Sequence, residues 1–239
     1  MILDKKEQND FLCIAHRGAM GYEPENTLLS IRKALELKAS WIEIDVHFID
    51  NHLMVIHDDV IDHPKESKIN IYGKKFDFLR SINVGKEQKI PILEEVLNLV
   101  DRKANLNIEL KGDFTASPVC ELIVDYVENY GWNYDNFLLS SFKYNELETA
   151  REILSNIPIG LLTRERKFAC FDKARSLGAC YLNVSIDILT DDVVKKAHDN
   201  NLKVLVYTVN SPEELMMVQK TGADGVFTNY IDLCINNSR

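Results

Sequence analysis

Apolar segments alternate regularly with amphipathic stretches along most of this chain. The apolar segments begin near residues 11, 42, 106, 136, 157, 180, 203 and 225, and their length and content of β-branched residues are typical of buried strands. Between them, apolar residues recur every three or four positions, the spacing of a helix with one buried face. The alternation therefore predicts eight strands, seven of which are followed by a helix of ordinary length.

The number of predicted β/α units indicates the fold class. Eight units in a chain of 239 residues match the size of a TIM (β/α)8 barrel, an α/β fold with eight parallel strands. A doubly wound open sheet is the alternative, but no G-x-G-x-x-G motif follows the first predicted strand. We therefore expect a TIM barrel that forms a single domain over residues 1–239.

One region departs from this regular order. A hairpin strand at 53–56 follows the second predicted strand, and residues 58–91 are then polar, with weak periodicity and no long helix. Segments of this kind are uncommon in a compact domain unless they carry function. We interpret 58–91 as a small insertion after strand 2, and Pro91 begins the next helical pattern.

Several helix starts carry recognisable capping residues. Asn26 or Thr27 precedes the first helical stripe, and either residue could cap that helix. Thr190 precedes another helix, and Ser211 is followed by a proline at the first helical position and by Glu214 three positions on. These signals predict that each helix begins directly after its capping residue.

The predicted second strand carries an unusual polar face. Glu43, Asp45 and His47 fall on one face of this strand. The residues on the opposite face are Ile42, Ile44 and Val46. Because carboxylates that face the protein interior need a counter-charge, a bound cation is the simplest explanation. The alternative is an edge strand whose acidic face lies in solvent.

Further polar residues stand at the carboxyl ends of neighbouring predicted strands, where the active sites of TIM barrels lie. They are His16 and Arg17 after strand 1, His57 after the hairpin, Glu109 and Lys111 in strand 3, and Ser140 and Ser141 in strand 4. Oxygen ligands favour Mg²⁺ or Ca²⁺ over zinc. We therefore predict one divalent cation, held by Glu43, Asp45 and Glu109.

Positive and titratable groups in the same cluster indicate a phosphate-containing substrate. Arg17 and Lys111 would bind phosphate oxygens together with the cation. His16 and His57 can exchange protons near neutral pH, so the pair can supply one acid and one base. We expect His47 to support a carboxylate from behind rather than to ligate the ion. Each residue also has an ordinary structural explanation, and the inference depends on their joint occurrence.

Composition limits the partners and the compartment. The net charge of −9 argues against nucleic acid as a partner. No apolar run approaches the ~20 residues that span a bilayer, and the N-terminal segment lacks the apolar core of a signal peptide. The five cysteines predict no disulfide framework, and Cys13 and Cys180 lie in apolar runs typical of buried thiols. We therefore expect a cytoplasmic protein.

A series of short motifs runs along nearly the whole chain. The motifs are His16-Arg17-Gly18, Pro24-Glu25-Asn26-Thr27, Glu43-Ile44-Asp45-Val46, Val55-Ile56-His57-Asp58, Ile90-Pro91-x-Leu93-Glu94-Glu95, Ile108-Glu109-Leu110-Lys111, Ser140-Ser141-Phe142, Tyr207-Thr208-Val209-Asn210 and Ala223-Asp224-Gly225-Val226-Phe227-Thr228. In these motifs the sequence resembles the glycerophosphodiester phosphodiesterase family. They occur in the family's order and are highly specific in combination.

The resemblance implies a TIM barrel with a small insertion after strand 2. It implies that Glu43, Asp45 and Glu109 bind the metal and that His16 and His57 are the catalytic pair. The implied reaction is hydrolysis of a glycerophosphodiester, a small molecule, to sn-glycerol 3-phosphate and an alcohol. The resemblance also implies that the glycerol 2-hydroxyl attacks first and that a cyclic phosphate forms.

The resemblance assigns the substrate contacts as well. It implies that Arg17 and Lys111 hold the phosphate, and that Tyr207 forms an aromatic wall where the family usually has tryptophan. The alternative enzyme is a lyase of the phospholipase D-like toxin or inositol phospholipase type, which stops at a cyclic phosphate. The non-enzymatic alternative is a barrel that only binds metal or phosphate.

Overall fold

The computed structural model describes residues 11–63, 67–165 and 169–236. The strands are β1 (Leu12–Ala15), β2 (Trp41–Ile49), β3 (His52–Val55), β4 (Val60–His63), β5 (Ser67–Asn70), β6 (Asn105–Leu110), β7 (Phe137–Ser141), β8 (Ile159–Thr163), β9 (Tyr181–Ser185), β10 (Lys203–Tyr207) and β11 (Gly225–Thr228). The helices are α1 (Leu28–Glu36), α2 (Phe76–Arg80), α3 (Leu93–Val100), α4 (Ala116–Asn129), α5 (Tyr144–Ile153), α6 (Ala169–Ser176), α7 (Asp191–Asp199), α8 (Pro212–Lys220) and α9 (Asp232–Asn236).

Eight of the strands in the described ranges lie parallel and close into a barrel. Their order around the barrel is β1, β2, β6, β7, β8, β9, β10 and β11. The barrel closes at β1, where Ala15 aligns with Ile42 of β2 on one side and with Thr228 of β11 on the other. β3 adds to β2 in antiparallel register. The predicted TIM barrel is confirmed.

The lower part of the barrel is filled with apolar side chains. Ile14, Leu138, Leu205 and Phe227, from four different strands, form a buried cluster inside the barrel. The outward faces of the strands pack on the helices through a second, larger apolar cluster. Because the interior is packed below, polar side chains collect near the carboxyl ends of the strands.

The predicted helix starts agree with the capping contacts. Thr27, not Asn26, caps α1, because its hydroxyl accepts a hydrogen bond from the Ser30 backbone N–H. Ser211 caps α8 and forms a reciprocal capping box with Glu214, as the sequence predicted. Asn26 therefore does not cap α1, although it directly precedes the capping residue.

Residues 58–91 contain the β4–β5 hairpin and the five-residue helix α2. Their apolar side chains form a small core of their own against the β2–β3 hairpin. This core contains Ile49, Met54, Ile56, Ile71, Leu79, Ile82 and Ile90. The segment therefore packs on the hairpin that leads to His57, and it lies beside the mouth of the barrel.

The prediction for the cysteines is wrong at two positions. Cys13 of β1 forms a disulfide with Cys234 of α9, and their Cα atoms are 6.3 Å apart. Cys180 is exposed rather than buried. The pairing joins residues 221 positions apart, which spacing along the chain does not indicate. The cysteine pattern therefore no longer supports the expected cytoplasmic location.

Helix length bears on the question of a membrane span. The fourteen residues of α4 make it the longest helix in the described ranges, whereas a span needs ~20 apolar residues. None of the helices in the described ranges therefore has the length and apolar character of a membrane span.

Candidate active site

Three carboxylates meet where β2 and β6 lie side by side in the barrel. Glu43 and Asp45 project from β2, and Glu109 of β6 is the register partner of Asp45. One oxygen from each carboxylate lies within 4.8 Å of the other two. Because Mg²⁺ and Ca²⁺ bind oxygen at about 2.0–2.6 Å, two ligands of one ion are at most about 5.2 Å apart. The spacing of the three oxygens therefore fits one divalent cation.

The electrostatics of the cluster also fit a cation. Burial, together with the charges of Asp45 and Glu109, raises the pKa of Glu43 well above its usual value. Burial and Asp45 raise the pKa of Glu109 to about 7. Among the described residues, Oε1 of Glu43 is buried without a hydrogen-bond partner. Among the described residues, the Arg and Lys side chains that pair with these three carboxylates are Arg17 and Lys111. A bound cation would therefore balance the excess negative charge.

Arg17 and Lys111 lie on either side of Asp45. Nε of Arg17 is 3.3 Å from Oδ2 of Asp45, and Nζ of Lys111 is 3.6 Å from Oδ1. Lys111 also pairs with Glu109 at 2.9 Å, and Arg17 donates to Glu25 at 2.9 Å. Although burial opposes ionisation, these two cations hold the pKa of Asp45 below its usual value.

The backbone at Arg17 turns sharply into the site. Arg17 has a φ of 51° and Gly18 a φ of 76°, so both residues are in the left-handed region. A Cβ atom on Gly18 would lie 2.5 Å from Oγ of Ser30, so only glycine fits there. The turn directs the Arg17 backbone N–H to Oε2 of Glu43 at 2.8 Å. Local conformation thus places both the guanidinium and a backbone donor at the carboxylates.

His16 is half-buried and presents one ring nitrogen to the carboxylates. Its Nδ1 lies 2.8 Å from Oδ1 of Asn229. An amide oxygen can only accept a hydrogen bond, so Nδ1–H donates and Nε2 keeps its lone pair. Nε2 is 4.0 Å from Oε2 of Glu43. Burial, followed by the charge of Arg17, lowers the pKa of His16 to about 4, which favours the neutral imidazole.

His57 stands on the segment after β3 and lines the same cavity as His16. Nδ1 of His57 is 2.6 Å from Oδ1 of Asp58, a residue for which no role was predicted. A carboxylate oxygen only accepts a hydrogen bond, so Nδ1–H of His57 donates to Asp58 and the contact orients the ring. The His57 side chain is 24% exposed, so it reaches both the site and solvent.

The expected role of His47 is wrong. Its ring contacts no carboxylate of the cluster within hydrogen-bond distance among the described residues. Nε2 lies 3.2 Å from the backbone oxygen of His57, and Nδ1 lies 2.8 Å from the hydroxyl of Tyr72. A carbonyl oxygen only accepts, so Nε2–H donates to His57 and Nδ1 accepts from Tyr72. His47 therefore links the His57 segment to the insertion.

Three asparagines at the site, Asn26, Asn107 and Asn229, were not predicted as site residues. Asn26 makes two hydrogen bonds to Asp45, one to its carboxylate at 2.8 Å and one from its backbone N–H at 3.1 Å. Asn229 holds His16, and Asn107 donates to Ser140 at 2.9 Å. Asn107 could have been found, because it alternates with Glu109 on the same face of β6. Asn26 resembled a helix cap, and Asn229 directly follows the motif that ends at Thr228.

Two adjoining cavities open at this site. The smaller, about 90 Å³, is lined by both histidines, Arg17, Glu43, Glu109, Lys111, Ser140 and Tyr207, among others. The larger, about 550 Å³, begins at His57 and Lys111 and extends towards β8 and α6. Seven of the eight predicted site residues thus line the smaller cavity, and Asp45 lies behind them as the register partner of Glu109.

Tyr207 forms part of the wall between the cavity and the barrel interior. Its hydroxyl donates to the Thr163 backbone oxygen at 2.8 Å. Its ring lies edge-on to Phe142 and to Phe227, with centroids 6.0 Å and 6.5 Å away. Ser141, by contrast, turns away from the cavity and donates to the Leu110 backbone oxygen. The structure therefore brings Tyr207 to the site and leaves Ser141 out of it.

Comparison with known sequences identifies the family. The sequence profile of the Glycerophosphoryl diester phosphodiesterase family matches residues 16–233, which include all eight predicted site residues. The chain belongs to this family. The resemblance indicated by the motifs is therefore confirmed. The carboxylates and histidines of the site are interpreted as those of a glycerophosphoryl diester phosphodiesterase.

Relatives of similar length support the assignment. A glycerophosphodiester phosphodiesterase of Caldanaerobacter subterraneus subsp. tengcongensis is 28% identical over 240 residues, which cover 94% of this chain and 96% of that protein. A glycerophosphodiester phosphodiesterase of Bacillus subtilis (strain 168) is 27% identical and covers 93% of this chain and 84% of that protein.

Solved structures resemble this chain over nearly its whole length. A phosphodiesterase of Oleispira antarctica, solved in complex with the product sn-glycerol 3-phosphate, has a TM-score of 0.85 and 25% identity. The match covers 95% of this chain and 97% of that one. The glycerophosphodiester phosphodiesterase of Thermotoga maritima, at 24% identity and a TM-score of 0.76, has the same fold.

Proposed function

We propose that this protein hydrolyses glycerophosphodiesters at the cavity between His16 and His57. The products are sn-glycerol 3-phosphate and an alcohol. The observation that carries the proposal is one small cavity lined by carboxylates, two imidazoles and three cationic side chains, those of Arg17, Lys111 and Arg164. Membership of the family and the product bound to the Oleispira antarctica phosphodiesterase support this reaction.

One divalent cation, Mg²⁺ or Ca²⁺, is the cofactor that we propose for Glu43, Asp45 and Glu109. All three donors are carboxylate oxygens, which these ions prefer. When bound, such an ion polarises a phosphoryl oxygen and lowers the pKa of a hydroxyl that it contacts. Arg17 and Lys111 then neutralise the remaining charge of the phosphate.

The hydrogen bonds of the two histidines support different roles in the first step. His16 donates through Nδ1 to Asn229 and keeps a lone pair on Nε2, so it acts as the base. His57 has its Nδ1 held by the Asp58 carboxylate, and its place at the entrance of the larger cavity, on the side of the leaving alcohol, supports the role of the acid. Proton transfer by a positioned group typically contributes about 10²–10⁴-fold in rate.

The first nucleophile that we propose is the 2-hydroxyl of the substrate's own glycerol. His16 removes its proton, the oxygen bonds to phosphorus, and the bond from phosphorus to the alcohol breaks as His57 protonates the leaving oxygen. Water then opens the cyclic 1,2-phosphate with the two histidines in reversed roles. A tethered hydroxyl is effective because good intramolecular geometry reaches effective molarities of about 10⁵–10⁸ M.

The reaction is tested with purified protein and glycerophosphocholine or glycerophosphoethanolamine, with Mg²⁺ or Ca²⁺ added and glycerol 3-phosphate measured directly. Release of glycerol 3-phosphate is expected. A cyclic phosphate as the final product would instead indicate a lyase, and binding without turnover would indicate a binding module.

The attacking group is tested separately with the 2-deoxy analogue of glycerophosphocholine. The analogue should bind as a competitive inhibitor and should not be cleaved, because it lacks the hydroxyl that attacks. Release of choline from it at a rate near that of the natural substrate would contradict the cyclic route and leave the hydrolase assignment intact.

The setting of the enzyme is also a proposal. We place it in the cytoplasm as a single domain over residues 1–239, with 58–91 as an insertion. In a reducing cytoplasm Cys13 and Cys234 would be thiols. Fractionation of cells that produce the protein, with the activity measured in each fraction, tests the location.

A further inference from the structure

We propose that the larger cavity beyond His57 selects a leaving alcohol that carries negative charge and disfavours a quaternary ammonium. The inference rests on the proposed function, because it concerns the alcohol that the hydrolysis releases. It identifies Arg164 and Lys173 as the residues that set this preference.

The position of the larger cavity makes it the place for the leaving alcohol. Its lining includes His57 and Lys111 but not His16, Arg17 or Glu43. In an in-line displacement the attacking and leaving oxygens lie on opposite sides of phosphorus. The glycerol therefore occupies the side of His16, and the alcohol extends past His57 into the cavity of about 550 Å³.

Two aromatic rings of this cavity form cation–π contacts with positively charged side chains of the protein. The Arg164 guanidinium lies 5.0 Å from the ring centroid of Phe142, and Nζ of Lys173 lies 5.8 Å from that of Tyr144. Aromatic faces are the usual recognition element for a quaternary ammonium. Each of these two rings already has a positive group of the protein over it. The ammonium of a choline group would therefore be repelled by Arg164 and Lys173 instead of being attracted by the rings.

The charge of the lining favours an anion. Its cationic residues are Lys111, Arg164 and Lys173, whereas Glu165 is the one carboxylate among the described lining residues. Within the described ranges, no carboxylate lies within 4.0 Å of the charged groups of Arg164 or Lys173. A carboxylate or phosphate on the alcohol could therefore pair with either. Both side chains are exposed, so solvent screening keeps the effect moderate.

Two substrates isolate the effect of one carboxylate. Glycerophosphoserine differs from glycerophosphoethanolamine only by the carboxylate on the leaving alcohol. We expect kcat/KM for glycerophosphoserine to exceed that for glycerophosphoethanolamine by about 3- to 10-fold, and glycerophosphocholine to be the poorest of the three. The preference should shrink at high salt, because the charges involved are exposed.

Charge-removing variants locate the preference. Arg164→Gln and Lys173→Gln should each move the serine-to-ethanolamine ratio of kcat/KM towards one. Arg175→Gln is the matched control, since it removes a cation from α6, the helix of Lys173, but outside the cavity lining, and it should leave the ratio unchanged.

The outcomes separate this inference from the proposed function. Cleavage of all three diesters with a ratio of one or less, or a ratio that neither cavity variant changes, would overturn the charge preference alone. Failure to cleave any diester would overturn both the preference and the hydrolase assignment.

Discussion

Single amide side chains hold the charged groups of this active site in position. Asn26 fixes Asp45 through two hydrogen bonds and is itself buried. Partners behind a metal ligand typically contribute about 10–100-fold in metal affinity. Asn26→Ala should therefore raise the Mg²⁺ or Ca²⁺ concentration for half-maximal activity by about that factor.

The control for this variant must account for the backbone. Asn26 has a φ of 55°, and Asn201, exposed and far from the site, has a φ of 58°. Asn201→Ala introduces the same backbone cost without touching Asp45, so its metal dependence should match that of the wild type. An unchanged metal titration for Asn26→Ala would show that Asn26 does not position a ligand.

The two histidines should be indispensable for turnover but not for folding. His16→Ala and His57→Ala should each lower kcat by about 10²–10⁴-fold, because each removes a positioned acid or base. His198→Ala is the control, since His198 pairs with Asp224 on the surface, away from the cavity. Wild-type kcat in the His57 variant would contradict the two-histidine mechanism.

The roles of site residues could be predicted from the sequence where they follow the alternation of a strand. Interior strands seldom carry acids on an inward face, so the alternation pattern was enough to predict Glu43, Asp45 and Glu109 as site residues. Asn26 and Asn229 could not be assigned in this way, because asparagine is common at helix caps and turns. Their contacts depend on the positions of loops, and in the case of Asn229 on the pairing of the last barrel strand with the first.

At the scale of elements, the insertion is connected to the catalytic segment by one hydrogen-bond chain. Tyr72 donates to His47, which donates to the backbone of His57. Tyr72→Phe removes the first donor and should lower kcat by about 2- to 10-fold with little change in KM, as expected for one net hydrogen bond. The kinetic constants of purified variants check this expectation.

A tyrosine outside the site provides the comparison. Tyr134 is exposed near the start of β7, and Tyr134→Phe should leave kcat and KM unchanged. If Tyr72→Phe is equally silent, the insertion does not position His57, and the link between His47 and Tyr72 is only structural.

Long elements were more predictable than short ones. The barrel strands and the helices after β6 follow clear apolar periods, and the caps at Thr190 and Ser211 agree with the structure. Within 58–91, β4, β5 and α2 are only four or five residues long, too short for a period to emerge. These short elements are stabilised by packing on β2 and β3. This packing cannot be predicted from the sequence of the segment alone.

At the scale of the whole molecule, the disulfide joins the first strand to the last helix. Protein purified without reductant and then unfolded should titrate three thiols, those of Cys120, Cys170 and Cys180. Prior reduction should raise the number to five, the full cysteine content. Five thiols without reduction would show that Cys13 and Cys234 are not bonded in the purified protein.

The barrel could be predicted from the sequence because its repeat is local. Each β/α unit can be recognised from the apolar pattern of its own segment, and the number of units indicates the closed barrel. The contact of Cys13 with Cys234 arises only when β11 returns to β1 and α9 packs behind them. Such a contact between the ends of the chain depends on the completed barrel, which no local pattern describes.

Metal dependence is the most direct test of the central claim, that three carboxylates hold the ion that supports phosphodiester hydrolysis. The enzyme is exhaustively treated with chelator, and glycerol 3-phosphate release from glycerophosphoethanolamine is then measured. We predict that activity disappears and that Mg²⁺ or Ca²⁺ restores it, while Glu43→Gln or Glu109→Gln protein regains little. Full activity after exhaustive chelation would contradict the assignment.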